Sequence, residues 1–134
     1  MPDPIRCTVI TPEARVLDGQ ATYVSVPLWD GKAGFERMTG AMVAKLGMGE
    51  LRVDMEGGNT KRWFVDGGFV QNVDNELKIL ARDAKSADAL DEAEVKAELA
   101  EANARKDTDA AVMDRITHER NRAQAKLAML RAAR

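Results

Sequence analysis

The chain has 134 residues, of which 45% are hydrophobic and 31% charged, with a formal net charge of −2 and an isoelectric point near 5.5. This length fits one domain, or a small domain with an appendage. The slight acidity argues against nucleic acid as the main partner, because such binding depends on neutralising phosphates. A single cysteine, Cys7, excludes an internal disulfide and is typical of a reducing compartment. We expect neither a signal peptide nor a membrane span, because no apolar run approaches about 20 residues.

The composition changes sharply near residue 85, and every Gly, Pro, Trp, Tyr and Phe precedes that point. In residues 1–84, short runs of near-alternating apolar residues separated by turn formers predict an all-β sandwich or barrel. Among the turn formers are Asp18-Gly19 and Asp74-Asn75. The candidate strands are 5–11, 13–19, 21–28, 32–36, 41–46, 50–55, 60–65, 69–73 and 76–81.

The pair Gly67-Gly68, within "VDGGFVQNVDNELKILARDA", has two readings. A phosphate-binding loop needs several glycines that open a helix, so that the first amides point at the anion. The residues that follow this pair are strand-like instead. We therefore interpret Gly67 and Gly68 as a structural turn or bulge that redirects the chain.

Residues 85–134 are mostly Ala, Glu, Arg, Lys, Asp and Leu, which predicts a helical hairpin. Ser86 or Asp88 is the expected cap of the first helix, and Asp107 or Thr108 that of the second, after the connection 105–108. The expected apolar stripes are Leu90, Ala93, Ala97, Ala100 and Ala104 on the first helix and Val112, Ile116, Ala123, Leu127 and Leu130 on the second. Because alanine contributes one methyl group each, we expect a weak seam and a hairpin able to move.

Charge is segregated between the two predicted helices. Residues 85–104 carry six acidic residues against two Lys, whereas residues 109–134, which include Arg134, carry six Lys and Arg against three acidic residues. Either the arms attract each other and are otherwise solvated, or the basic arm docks on an acidic partner surface. The candidate docking residues are Arg115, Arg122 and Lys126.

Few residues of this chain could carry out catalysis. His118 is the only histidine and lies among charged residues, so neither a metal cluster nor a nucleophilic triad can be assembled. Asp88, Asp91 and Glu92 are better explained by the macrodipole at a helix start than as paired catalytic acids. We expect an interaction module that is not an enzyme and has no cofactor.

Several stretches resemble the epsilon subunit of the F-type ATP synthase, and together they cover essentially the whole chain in order. Residues 11–27, "TPEARVLDGQATYVSVP", match the family's opening hairpin, and residues 44–53 match its "L-x-x-G-x-L-x-V" stretch. The family's "GGF-x-x-V" and "V-x-V-L-A-D-x-A" motifs are matched by Gly67, Gly68, Phe69, Val73, Leu77, Ile79, Leu80, Ala81 and Ala84.

The resemblance implies an α+β protein, with a β-sandwich of about ten strands followed by an antiparallel two-helix hairpin. It also implies a peripheral subunit of the central stalk, or rotor, at the cytoplasmic face of an energy-coupling membrane, with gamma and the c-ring as partners. The hairpin would reach the alpha/beta head and restrain ATP hydrolysis. By alignment, the c-ring contacts are Lys32, Met38, Thr39 and Met42, and the gamma contacts are Thr11 and Ala44. The alternative is a free-standing β-sandwich adaptor whose hairpin binds another helical partner.

Two departures from the family pattern bear on function. Where the family has a "P-G-H-A-P" loop facing the c-ring, this chain has Arg37-Met38-Thr39-Gly40-Ala41. Where the family has the ATP-sensing "L/I-D-x-x-R-A", this chain reads Leu90-Asp91-Glu92-Ala93-Glu94-Val95, so that an acid replaces the arginine. A carboxylate cannot donate to a polyphosphate, and we expect no ATP binding.

Overall fold

The computed structural model describes residues 3–132, with side chains up to residue 131, and divides the chain into two compact units, residues up to Ser86 and residues from Ala87 onward. The first unit contains nine strands within the described residues. They are β1 (Ile5–Ile10), β2 (Arg15–Leu28), β3 (Gly31–Phe35), β4 (Met42–Lys45), β5 (Met48–Met55), β6 (Thr60–Asp66), β7 (Gly68–Val73), β8 (Glu76–Ala81) and β9 (Ala84–Ser86). The second unit contains a 3₁₀ turn (Ala87–Ala89), α1 (Glu92–Ala104) and α2 (Ala110–Ala132).

The strands form one sheet in the order β4-β7-β8-β1-β2-β5-β6-β9, with β3 paired to β2 off this path. All pairs are antiparallel except β1 with β8, which is parallel. Buried residues from both halves of the sheet, such as Ile79 of β8 and Val65 of β6, belong to one apolar cluster. The sheet therefore folds back on itself around a single core, and the predicted β-sandwich is confirmed.

The core follows the alternation of apolar residues along the strands. In β1 the inward positions are Ile5, Cys7 and Val9, all essentially inaccessible to solvent. Burial raises the pKa of the Cys7 thiol to about 12, so this cysteine behaves as a small apolar side chain. In β2, Val24 and Val26 point inward.

The longest strand corrects the prediction. Residues 13–19 and 21–28 were expected to be separate strands with a turn at Asp18-Gly19, but β2 runs unbroken from Arg15 to Leu28. Asp18 and Gly19 pair in register with β1, and the guanidinium of Arg6 donates two hydrogen bonds of 3.1 Å to the Asp18 carboxylate. The irregularity in β2 is a register shift between Ala21 and Tyr23. This shift moves the inward positions from odd to even residue numbers.

The helical hairpin is antiparallel, as predicted. Glu98 pairs with Lys126 and Arg105 with Glu119, so moving seven residues along the first arm moves the partner seven residues back along α2. On α2 the buried or half-buried positions include the expected Val112, Ile116, Ala123, Leu127 and Leu130.

The predicted stripe on α1 is wrong. Ala93, Ala97, Ala100 and Ala104 are exposed, whereas Val95, Leu99 and Ala102 face the seam, and Leu90 is buried but precedes the helix. Val95 and Leu99 determine which face of α1 packs against α2, because each buries more apolar area than an alanine methyl group.

The predicted caps are also displaced. Asp91, and not Ser86 or Asp88, caps α1 by accepting from the amide of Ala93 at 2.9 Å. Asp109, and not Asp107 or Thr108, caps α2 by accepting from the amide of Ala111 at 2.8 Å. Strand β9 was not predicted. Its pairing with β6 carries the sheet two residues beyond the expected boundary at residue 84.

Gly67 lies between β6 and β7, and Gly68 is the first residue of β7, with φ angles of 76° at Gly67 and 121° at Gly68. The Gly67 amide donates to the Gly47 carbonyl at 3.1 Å, and the Gly68 carbonyl accepts from Leu46 at 2.9 Å. A Cβ at residue 68 would collide with the carbonyl oxygen of Leu80. The pair therefore serves close backbone packing.

Replacing Gly68 with Ala should destabilise the β-unit, because the new methyl group meets backbone that cannot rotate away. The matched control is Gly58→Ala, which also stands at a positive φ of 98° but faces open space. We expect a loss of about 1–2 kcal/mol for Gly58→Ala from the left-handed backbone alone, and roughly 2 kcal/mol more for Gly68→Ala. Urea unfolding followed by tryptophan fluorescence measures both. Equal losses would contradict the proposed clash.

Candidate interaction surfaces

The outer face of strands β4, β7 and β8 exposes a group of large apolar side chains. Val43 is 70% exposed, Phe69 51% and Leu80 45%. Phe69 stands opposite Leu80 across β7 and β8, and Val43 stands opposite Gln71, the next outward position after Phe69. Residues on one face of paired strands are neighbours, so these three side chains form a continuous patch, here called the apolar sheet face.

The apolar sheet face continues onto β1, because Ile10 is the parallel partner of Leu80. A shallow groove runs beside it, lined by Ile10, Thr11, Pro12, Phe69, Leu80 and Arg82 among others. Lys45 and Lys78 occupy outward positions of the same strands. The surface combines apolar area with flanking positive charge, which suits a partner helix or strand carrying apolar and acidic side chains.

A second exposed region follows strand β3, which pairs only with β2 among the described strands. The turn before it carries Trp29, 70% exposed, and the loop after it carries Met38, 79% exposed. Lys32 is exposed on the strand between them. This region, here called the β3 edge, offers an open strand edge with a large apolar side chain at each end.

The residues expected to contact the c-ring are distributed along the β3 edge and its loop. Lys32 is exposed within β3, and Met38 is exposed in the loop that follows this strand. Thr39 is half-buried, and its hydroxyl accepts from the Glu36 amide at 3.0 Å. Met42 is half-buried and packs against the core.

The residues expected to contact gamma lie beside the apolar sheet face, and Thr11 is buried and Ala44 half-buried. The Thr11 hydroxyl donates to the Ala14 carbonyl and accepts from the Ala14 amide, both at 3.2 Å, which closes a turn. Ala44 packs against the core from the inner side of β4. Val43 was not among the predicted contact residues, although the apolar residues at outward positions of β7, Phe69 and Val73, could have indicated this face.

The basic residues of the hairpin differ in accessibility. Arg115 is exposed, Arg122 is half-buried, and Lys126 is buried with its Nζ 3.3 Å from Glu98 Oε2. A cleft between the helices is lined by Glu98, Glu101, Ala102, Arg105, Glu119, Arg122 and Lys126. Acidic and basic groups are equal in number in this cleft. For Lys126, the ion pair with Glu98 therefore favours attraction between the two arms over docking on a partner. Arg134 lies outside the described residues.

Nothing in the described residues forms a metal site, since no cluster of three or more His, Cys, Asp or Glu residues is present in that part of the chain. Between residues 3 and 132, no helix is both long and apolar enough to cross a membrane. His118 is exposed on α2. The two exposed surfaces described above are suited to binding partners.

The fold and its surfaces define a β-sandwich interaction unit followed by a helical hairpin. Residues 4–87 match the family described as "ATP synthase, Delta/Epsilon chain, beta-sandwich domain". The ATP synthase epsilon chain of Rhodopirellula baltica is 43% identical over 98 residues, covering 73% of this chain and 76% of the relative. That of Syntrophomonas wolfei is 30% identical over 124 residues, covering 92% and 85%. The chain therefore belongs to the ATP synthase delta/epsilon chain family, and the resemblance to the epsilon subunit is confirmed.

Two solved structures share the fold. A chain of the Euglena gracilis mitochondrial ATP synthase, from a structure of its OSCP/F1/c-ring part, superimposes with a TM-score of 0.76 at 23% identity, covering 95% of this chain and 77% of that one. A chain from the central stalk/c-ring structure of the Tetrahymena thermophila enzyme gives a TM-score of 0.66 at 18% identity, covering 93% and 95%. Family membership makes the chain a subunit of the ATP synthase complex.

One ion pair gives the β-unit a pH dependence. The guanidinium of Arg62 donates to both carboxylate oxygens of Glu50 at 2.7 and 2.9 Å, and both side chains are partly buried. Hydrogen bonding to Arg62 is the largest cause that lowers the pKa of Glu50 below its ordinary value of 4.5, and the charge of Lys32 contributes as well. The stabilisation is therefore fully present above pH 4.5 and is lost as the pH falls through the lowered value.

Replacing Glu50 with Gln should flatten the acid limb of the stability profile, because this carboxylate no longer gains a proton on unfolding. The measurement is the free energy of unfolding by urea, from pH 7 to pH 3. The control is Glu56→Gln, at an exposed position just after β5, which should leave the acid limb as steep as in the natural sequence. The same slope for all three proteins would contradict the assignment.

Proposed function

We propose that this chain is a non-catalytic subunit of the central stalk of ATP synthase, which joins gamma to the c-ring and so couples ion translocation to ATP synthesis. The observation that carries this proposal is the exposed apolar sheet face of Val43, Phe69 and Leu80, since a contiguous apolar patch on a sheet marks a protein contact. The names of the relatives support the choice of complex.

Gamma is the proposed partner of the apolar sheet face. The groove beside the apolar sheet face would hold apolar side chains of an elongated partner. The outward Lys45 and Lys78 would pair with acidic side chains of that partner. The predicted gamma contacts Thr11 and Ala44 expose little side-chain area at this face, so we assign the direct contact to the exposed Val43 and Phe69. Thr11 and Ala44 would shape the surface from beneath.

The c-ring is the proposed partner of the β3 edge. Lys32, Met38 and Thr39 would make the contact, with Met42 anchoring the loop to the core. Because this loop leads directly into β4, the two surfaces are continuous, and one rigid unit could transmit rotation between both partners. The chain would then be peripheral, at the cytoplasmic face of the membrane, without inserting into it.

A regulatory role of the hairpin is part of the proposal. The apolar cluster between the helices contains four large side chains, Val95 and Leu99 from α1 and Leu127 and Leu130 from α2, and Ile116 is buried further along α2. At about 1.5–3 kcal/mol per large side chain, such a seam is modest against the entropy of ordering two helices. The helices could therefore separate and present Arg115, and on opening Arg122 and Lys126, to the alpha/beta head.

We propose that the chain needs no cofactor and binds no ATP. At the start of α1 the carboxylate of Asp91 already accepts from the amide of Ala93, and Glu92 and Glu94 occupy the first turn. An incoming phosphate would meet three carboxylates where a helix start would otherwise favour an anion. The competing hypothesis is a free-standing adaptor that uses the same apolar face for another helical partner.

A charged substitution on each surface distinguishes the contribution of the apolar sheet face from that of the β3 edge. Phe69→Glu should weaken gamma binding by more than about tenfold, because a carboxylate would be desolvated at the centre of the interface. Met38→Glu should weaken c-ring binding and leave gamma bound. Asn59→Glu, in an exposed turn, is the charge-matched control. Co-purification of gamma and c-ring with each tagged variant measures the effects.

Gamma and c-ring retention equal to that of the natural sequence in both variants would contradict the proposal. Absence of gamma and c-ring even with the natural sequence, at near-native salt, would favour the adaptor.

A further inference from the structure

The loop between β3 and β4, residues 36–41, has no regular secondary structure and is nevertheless closely hydrogen-bonded. Within it, the Thr39 amide donates to the Glu36 carbonyl at 3.1 Å, and the Glu36 amide donates to the Thr39 hydroxyl at 3.0 Å. Two reciprocal hydrogen bonds thus close a tight turn, with Met38 at its tip.

Two asparagines from another hairpin hold this loop from outside. The side-chain amide of Asn72, on β7, donates to the carbonyls of Thr39 at 3.0 Å and Gly40 at 3.2 Å. The side-chain oxygen of Asn75, in the β7–β8 turn, accepts from the amide of Met38 at 2.8 Å. The loop is therefore fixed at its tip and on its exit side by residues more than 30 positions away in sequence.

Asn72 occupies a position where the fold alone would favour an apolar residue. It is the inward neighbour of Val70 along β7 and is only 1% exposed. Its amide nitrogen is used for the loop, whereas its Oδ1 has no hydrogen-bond partner among the described residues. Burying an amide with one unsatisfied acceptor is unfavourable, so the two donated hydrogen bonds are the physical reason we can identify for this side chain.

Asn75 is a residue type that suits both the backbone conformation of its turn and the hydrogen bond that its side chain accepts. It lies in the left-handed region with φ 60°, next to Asp74 with φ 53°, as asparagine tolerates better than most residues. Met38 also has a positive φ of 71°, which is unfavourable for an unbranched apolar residue without support. The hydrogen bond from the Met38 amide to Asn75 joins this unfavourable backbone to the β7–β8 turn.

We propose that Asn72 and Asn75 are positioning residues that hold the loop 36–41 ready to bind the c-ring. The inference rests on the proposed function of this loop. A loop fixed in advance loses less conformational entropy on binding, so the affinity of the exposed Met38 for its partner is higher than that of a mobile loop. Neither asparagine needs to touch the partner.

The loop is tested first in the chain alone, by amide hydrogen exchange at Met38 and Thr39. Asn75→Gly keeps the left-handed backbone and removes the acceptor, whereas Asn75→Asp keeps both. Asn72→Leu keeps the volume and removes the donor. We expect exchange about tenfold faster at these amides for Asn75→Gly and Asn72→Leu, and little change for Asn75→Asp.

Thermal unfolding distinguishes positioning of the loop from a general stabilising role of Asn72. Asn72→Leu should shift the midpoint of the β-unit by no more than about 4 °C, since it replaces a half-satisfied buried amide with an apolar group. The control is Val70→Ala, in the same strand and buried, which should lower the midpoint without selectively loosening the loop. The proposal would be overturned if Asn72→Leu greatly lowered the unfolding midpoint and accelerated amide exchange equally throughout the β-unit.

Binding is then tested by titrating the chain, in complex with gamma, onto purified c-ring. Asn72→Leu and Asn75→Gly should weaken binding by about tenfold, with rescue in Asn75→Asp. Unchanged amide exchange in the first two variants overturns the inference. Faster exchange with unchanged affinity, while Met38→Glu still weakens binding, overturns the positioning role alone. Faster exchange with no effect of Met38→Glu shows instead that the proposed c-ring contact is wrong.

Discussion

Strand β2 is the element on which the rest of the β-unit depends. Its first half pairs with β1, and its second half pairs with β5 on one side and β3 on the other, so both halves of the sheet are joined through it. The register shift after Ala21 lets one continuous strand serve both layers, because it changes which side chains face the core. Removing either pairing would leave apolar residues of the opposite layer without a partner surface.

This arrangement also places the two candidate surfaces. The β1 side of β2 leads to β8, β7 and β4, whose outer face exposes Val43, Phe69 and Leu80. The far end of β2 carries β3, an edge strand with Trp29 before it and the Met38 loop after it. A rigid scaffold therefore presents one broad apolar contact and one narrower edge, which is the arrangement expected of a subunit that joins two partners.

Strands whose position follows from the local alternation of apolar residues were predicted well from the sequence. The strands around residues 69–73 and 76–81 were predicted closely because buried and exposed side chains alternate along them with a clear period of two. The turn expected at Asp18-Gly19 does not exist, because pairing with β1 and the two hydrogen bonds from Arg6 hold those residues in the sheet. Such a partner, 12 residues away, leaves no mark on the local pattern.

The hairpin and the candidate site show the same limit. Counting small residues at helical spacing selected the alanine stripe of α1, but Val95 and Leu99 bury more area and decide which face packs. The importance of Asn72 was not predictable from its neighbours, since only the path of the distant loop reveals what its amide binds. Exposed apolar residues such as Val43 become meaningful only when neighbouring strands place them side by side.

We propose that the outer face of β4, β7 and β8 and the β3 edge are covered by partner subunits in the assembled enzyme. Hydrogen–deuterium exchange of the chain, free and within purified ATP synthase, tests it most directly. We predict protection on assembly at residues 36–45, 68–73 and 78–81, with little change at residues 50–62 on the other half of the sheet. Protection confined to residues 50–62, with 36–45 and 68–73 exchanging as in the free chain, would contradict it.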